Sequence, residues 1–178
     1  MANDVAIVAV DPGATCGIAF YHNGRFETMQ LPKREALGFI HGVVEGLADA
    51  GIRPALVVER FTVGRGPRRP MSPQLDAQEV IGALYDLSTL LLLDFWRQNV
   101  ADAKMVGSDA SLSRIGWYRS GWPHANDAAR HIYLTLMRHY PAEFKRVVRG
   151  ETQDINRIIE ESEELRNRAN GAAASGQG

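Results

Sequence analysis

Apolar and polar positions alternate along this chain in a way that divides it into strands and helices. Residues 5 to 10, Val-Ala-Ile-Val-Ala-Val, form an unbroken apolar run that stops at Asp11. A run this short and rich in β-branched residues suits a strand covered on both faces and is too brief for a typical helix. Pro12 has no N–H to donate and ends the ladder, and Gly13 and Gly17 permit a tight turn or close backbone approach. The chain restarts with Ile18-Ala19-Phe20-Tyr21, and Asn23-Gly24 is a hairpin signal ahead of Phe26 to Leu31. The pattern predicts three antiparallel strands with an acid at the first tip.

From Lys33 to Ala50 the apolar residues Ala36-Leu37, Ile40, Val43-Val44 and Leu47 recur at helical spacing, and Gly51 stands where a C-terminal cap belongs. After Arg53-Pro54, Ala55-Leu56-Val57-Val58 reads as another buried strand, ending in Glu59. A right-handed crossover then puts Glu59 at the same sheet end as Asp11 if the two strands are parallel neighbours. Each acid also has a plainer reading, Asp11 as the cap of an Asp-Pro-Gly turn and Glu59 as a strand-end charge that meets water.

Residues 61 to 74 hold three prolines, two glycines and three arginines, so a loop is expected, with Arg65, Arg68 and Arg69 beside Glu59's end of the sheet. Such arginines hold phosphates near carboxylates or are simply solvated. Leu75 to Trp96 is the most hydrophobic stretch and reads as one helix with two stripes. Val80, Ile81, Leu84, Leu87 and Leu91 form the first, and Tyr85, Leu92 and Trp96 the second. A helix apolar on two faces needs two partners, the sheet and a second copy of the chain, or else it is a deep core helix. A short strand is expected at Lys104-Met105-Val106. Between there and Pro123 the chain interleaves Arg114, Trp117, Tyr118, Arg119 and Trp122, a mixture that stacks bases and holds phosphates or else packs on the core. A helix opens at His124, and Asp127, three residues on, shares its face in the first turn. There Asp127 is equally suited to capping the helix.

Composition narrows the class without changing the pattern. A length of 178 residues and 45% hydrophobic content fit one ordinary globular core. The domain is expected over 1–150, with 151–178 a charged helical extension and disordered tail. Net charge is −1 overall, yet residues 1–150 carry +2 and residues 151–178 carry −3, so the acidity sits in the tail. The single cysteine, Cys16, excludes an intramolecular disulfide and a cysteine-rich zinc site. No apolar run spans a membrane and the acidic start is unlike a signal peptide. A cytoplasmic setting, in a bacterial cell or phage-infected host, is expected.

Val-Asp-Pro-Gly-x-x-x-Gly at 10–17, Val-Val-Glu at 57–59 and His-x-x-Asp-Ala-Ala at 124–129, in that order, resemble the RuvC family of Holliday-junction resolvases in the ribonuclease H-like superfamily. The divergence from the bacterial pattern leans toward a phage member. The resemblance implies an α/β fold with a mixed five-stranded sheet, three antiparallel strands then parallel ones, flanked by helices. It implies that Asp11, Glu59, His124 and Asp127 bind two divalent metals, with Phe61 the nearest match to an aromatic residue that intrudes at the junction. Lys104, Arg114 and Arg119 are loose substitutes for the family's phosphate-binding lysines, whose segment is shortened here. Two metals activate a water and neutralise the leaving oxygen in phosphodiester hydrolysis. Oxygen ligands favour Mg²⁺, with Mn²⁺ tolerated by an imidazole. The partners so implied are four-way DNA junctions and a second copy of the chain, since paired symmetric nicks match a two-fold dimer.

Three other functions fit less of the sequence. A nuclease of the same fold for flaps or forks is favoured only by the unusual arginine-rich loop. An ATP-binding fold of the actin and sugar-kinase type needs two such domains, and this chain offers one Asp-Pro-Gly turn. A catalytically silent DNA-binding module would lack a carboxylate, and all are present.

Overall fold

The computed structural model describes residues 5–60, 71–150 and 153–154, with 71–74 and 153–154 described as backbone alone. Three strands come first, β1 (Ala6–Asp11), β2 (Thr15–His22) and β3 (Arg25–Pro32). They pair antiparallel, β1 with β2 and β2 with β3. The β2–β3 turn is the expected two-residue hairpin. Asn23 and Gly24 have φ of 48° and 85°, a left-handed pair that glycine adopts freely and asparagine tolerates.

Helix α1 (Lys33–Asp49) leads to β4 (Ala55–Glu59), which pairs parallel with β1. Helix α2 (Met71–Leu90) leads to β5 (Phe95–Gln98), parallel to β4. There follow α3 (Val100–Val106), α4 (Asp109–Arg114), α5 (Pro123–His139), α6 (Pro141–Val148) and the two-residue β6 (Gln153–Asp154). The sheet order is β5-β4-β1-β2-β3-β6. The expected arrangement of three antiparallel strands then parallel ones is present, with β5 at Phe95–Gln98 and not at Lys104-Met105-Val106, and β6 adds a short parallel edge beside β3.

Three expectations about the elements are corrected. The helix expected to run from Leu75 to Trp96 starts earlier, at Met71, and stops at Leu90. Leu92, at φ 53°, turns the chain, and Phe95 to Gln98 joins the sheet. Helix and strand are both apolar there, so their periodicities merge in sequence. Trp96 therefore lies on β5, stacked on His139 at 4.4 Å, and not on the second stripe of α2. The strand expected at Lys104-Met105-Val106 is the end of α3, in which Ala103 is buried while Lys104 and Met105 face solvent. Trp117 belongs to the core, fully buried and stacked 4.0 Å from Phe26, and is unavailable to a base. The extension lies outside the described residues apart from Gln153–Asp154, which form a strand where a helix was expected.

Helices cover both faces of the sheet, and alternation along each strand decides which face a residue meets. Val8, Val10, Leu56 and Val58 pack with Ala36, Ile40 and Val44 of α1 and Val80, Ile81, Leu84 and Leu87 of α2. Ile7, Ala9 and Val57 face the other way, against Ala128, Ala129, Ile132 and Leu136 of α5. Burial of Ile132 and Leu136, roughly 1.5–3 kcal/mol each, holds α5 on the sheet. Asp11 follows Ala9 by two residues and Glu59 follows Val57 by two. Both acids thus leave the strand ends on the α5 face.

Candidate active site

Asp11 and Glu59 stand at the same edge because β1 and β4 are parallel neighbours, with Val10 opposite Val58. Across β1 on the other side, Asp11 is paired with Gly17. A Cβ on Gly17 would lie 1.9 Å from the His124 carbonyl oxygen and 2.8 Å from the Ala125 nitrogen. Only glycine lets the start of α5 sit this low on the sheet. Gln30, from β3, completes the seat. Its side-chain oxygen accepts from the backbone N–H groups of His124 at 2.8 Å and Ala125 at 3.3 Å, donors that a helix start otherwise leaves unpaired. From α5, Asn126 ties down the preceding loop, accepting from the Arg119 N–H at 2.8 Å and donating to the Arg119 carbonyl at 2.7 Å.

So placed, His124 brings its Nδ1 to 2.7 Å from Asp11 Oδ2. Asp11 is only 8% exposed. Burial pushes its carboxyl up to about 6, the His124 bond works against the rise, and the charges of Glu59 and Asp127 add to it. Asp127, on the same helical turn, is ion-paired with Arg130 and, at 3.2 Å, with Lys104. Arg130 is itself buried and donates from Nε to the Gly107 carbonyl at 2.9 Å and from Nη2 to Asp109. Glu59 faces His131, whose Nε2 lies 3.6 Å from Glu59 Oε2.

The structure therefore brings Asp11, Glu59, His124, Asp127 and Lys104 to one edge. Arg114 is exposed and Arg119 half-buried on the segment before α5. Phe61, Arg65, Arg68 and Arg69 lie outside the described residues. Sequence reasoning missed Gln30, Arg130 and His131. Arg130 and His131 lie three and four residues after Asp127, so helical spacing pointed to both.

Among the described residues, no group of three or more His, Cys, Asp or Glu is drawn close enough to hold a metal ion. Each carboxylate leans instead on a neighbouring nitrogen, Asp11 on His124, Glu59 toward His131 and Asp127 on Arg130 and Lys104. By chemistry the donor set suits a hard divalent cation. Three carboxylates share one edge of the sheet, and the charges of Glu59 and Asp127 raise the Asp11 carboxyl, which is the condition a bound cation relieves.

A mixed sheet of three antiparallel strands then parallel ones, with acids at adjacent strand ends and at the following helix, defines a ribonuclease H-like fold. Among solved structures, the chain is similar to T. thermophilus RuvC in complex with Holliday junction substrate, with TM-score 0.54 and 16% identity over 79% of this chain and 97% of that one. It is also similar to Thermus thermophilus RuvC, with TM-score 0.50 and 17% identity over 79% of this chain and 98% of that one. At such identity the likeness defines the fold. No protein-family model matches the chain, and no curated protein matches it.

Proposed function

We propose that this protein is a metal-dependent, structure-selective DNA endonuclease that resolves four-way junctions by paired nicks. The observation that carries the reading is the convergence of Asp11, Glu59, His124 and Asp127 on one sheet edge. The fold is shared with a RuvC whose structure holds a Holliday junction substrate. Asp11, Glu59 and Asp127 would hold two Mg²⁺ or Mn²⁺ ions, and His124 would act on the attacking water rather than as a ligand. Bound there, the ions would lower the pKa of a water and neutralise charge on the phosphate and leaving oxygen.

The chain's own residues have separate tasks. Asp11 is buried and accepts from His124 Nδ1–H, which leaves His124 Nε2 as the lone pair at a ring whose side chain is 46% exposed. That nitrogen orients the attacking water and takes its proton as the phosphodiester bond breaks. Lys104, half-exposed beside Asp127, is placed to move from the carboxylate to an incoming phosphate. Arg65, Arg68, Arg69, Arg114 and Arg119 supply further phosphate contacts, which position DNA without reading its sequence. Phe61 intrudes at the junction. A homodimer provides two sites related by the two-fold of a junction.

Cleavage of a labelled four-way junction, beside linear duplex and flap DNA in Mg²⁺ and in Mn²⁺, tests the reading. Paired symmetric nicks lost in Asp127→Asn are expected. Equal cutting of flaps and forks would make the protein a general branched-DNA nuclease, and junction binding with no metal-dependent cutting would leave a binding module.

A further inference from the structure

Behind Glu59 lies a chain of buried polar groups that the proposed reaction does not use. His131 is fully buried and Gln98, opposite Glu59 in the β4–β5 register, is 6% exposed. His131 Nδ1 lies 2.9 Å from the Gln98 amide. As placed, the amide N–H donates to Thr135 Oγ1 at 2.7 Å, and the Thr135 hydroxyl donates to the His131 carbonyl at 2.8 Å. At the far side of the ring, His131 Nε2 is one of two buried side-chain polar atoms without a hydrogen-bond partner among the described residues. It points at Glu59 Oε2 across 3.6 Å.

The placement of protons decides what this contact is. If Nδ1 alone carried the proton, the Nε2 lone pair would face a carboxylate oxygen, two acceptors in contact with Nε2 itself sealed from water. Such an arrangement leaves Nε2 unsatisfied, which buried polar groups in native folds rarely are. A water donating to both with bonds of about 2.8 Å would, at its bent angle, set them about 4.4 Å apart, and 3.6 Å is shorter than that. A half-turn of the Gln98 amide exchanges its oxygen and nitrogen at the same positions. Its N–H then donates to Nδ1, the Thr135 hydroxyl turns from the His131 carbonyl to the amide oxygen, and the ring proton moves to Nε2, where it faces Glu59 Oε2 across 3.6 Å. The contact with Glu59 then sets a donor against a carboxylate oxygen in place of two acceptors.

The geometry points to His131 as a positioning residue whose Nε2–H, set by Gln98 and Thr135, holds the Glu59 carboxylate at the metal site. The inference rests on the reading of Glu59 as a metal ligand given above. The site would thereby have a brace for Glu59 on the same face of α5, one turn beyond Asp127. A strand-end glutamate would otherwise rotate freely into solvent.

The test has two arms, both on the full-length chain. The first is the imidazole ¹⁵N spectrum of the wild-type protein with His131 assigned by substitution. A proton on Nε2, kept when Mg²⁺ saturates the protein, is expected; a bare Nε2 with the proton on Nδ1, or an Nε2 that loses its proton to Mg²⁺, would overturn the inference. The second is Mn²⁺ binding by electron paramagnetic resonance to His131→Asn, His131→Gln and Asp11→Asn. Asparagine keeps the reach to Gln98 but has no donor at the Nε2 position, and is expected to bind Mn²⁺ roughly tenfold more weakly. Glutamine restores that donor and is expected to bind nearly as wild type. Equal binding by the asparagine and glutamine variants would mean that His131 only fills space. Mn²⁺ binding unchanged in Asp11→Asn would sink the metal-site reading itself, and the nitrogen spectrum would still decide whether a donor faces Glu59.

Discussion

Gly17 lies directly under the His124 carbonyl, so close that a Cβ on it would stand 1.9 Å from that oxygen. The nearest atoms are backbone and cannot rotate away. Gly17→Ala is therefore expected to lift the start of α5 and destabilise the fold by about 3 kcal/mol, the upper part of the usual range for overpacking. A fall in the thermal midpoint of roughly 6–12 °C, with loss of cleavage, checks this. A midpoint within about 2 °C of wild type would mean that α5 is not seated as described.

Asp11 carries the opposite balance, function against stability. Its folded pKa is raised from 3.8 to about 6, so the folded protein binds the proton more tightly than the unfolded chain. The stabilisation from protonated Asp11 is complete below pH 3.8 and is lost as pH rises through about 6. At pH 7 the ionised carboxylate costs up to about 3 kcal/mol. Asp11→Asn, which also gives up the charge on its His124 bond, is expected to be about 1–2 kcal/mol more stable than wild type at pH 7 in chelator. Near pH 4 the difference should vanish. Urea unfolding at the two pH values reads it directly. Added Mg²⁺ should stabilise wild type and leave the variant unmoved.

Much of this was legible in the residues, for reasons that differ by element. The strand tips at Asp11 and Glu59 were visible because a short apolar run ending in an acid has few other meanings. The Asn23-Gly24 turn was visible because few pairs accept that backbone. Trp96 was misplaced because an apolar helix that passes straight into an apolar strand leaves no break in the pattern, and Lys104 because three residues are too few to show a helical period. Partners distant in sequence were hidden altogether. Nothing around Gln30 shows that its amide receives the start of α5, 94 residues later. Nor does Gln98 announce that it meets His131.

Arg130 and Lys104 both reach Asp127, but they differ in burial. Arg130 is enclosed and joins Asp127, Asp109 and the Gly107 carbonyl. Arg130→Met is expected to cost about 3 kcal/mol, since it takes the buried donor from the Gly107 carbonyl and from part-buried Asp127, which keeps only the exposed Lys104. The Lys104 side chain is 53% exposed, and Lys104→Ala should change stability by no more than about 0.5 kcal/mol while weakening junction binding. Denaturant melts and a junction-binding isotherm on both variants separate a structural cation from a phosphate-binding one. Equal losses of stability would erase the distinction.

If Arg65, Arg68 and Arg69 contact phosphates, their effect should appear in salt dependence. Each neutralised phosphate contributes about −0.9 to the slope of log binding constant against log salt. Replacing all three by alanine is expected to reduce the magnitude of that slope by about three, uniformly across junction sequences. An unchanged slope would assign these arginines to solvent.

The symmetry of the proposed reaction makes the last demand on the surface. The inner stripe of α2, Val80, Ile81, Leu84 and Leu87, is spent on the sheet. On its outer side Tyr85 is 52% exposed and Leu92, just past its end, 75% exposed. Both are large apolar groups that a second chain would cover. A dimer should sediment at twice the 19.6 kDa chain mass across the concentration range used for cleavage. Tyr85→Arg with Leu92→Arg places like charges opposite one another across a two-fold and should yield monomer with unchanged stability, because neither side chain is in the core. Such a monomer should still bind Mn²⁺, since Asp11, Glu59 and Asp127 all come from one chain, yet fail to place two coordinated nicks in one junction. Paired nicking by a proven monomer would remove the dimer from the mechanism and leave the site intact.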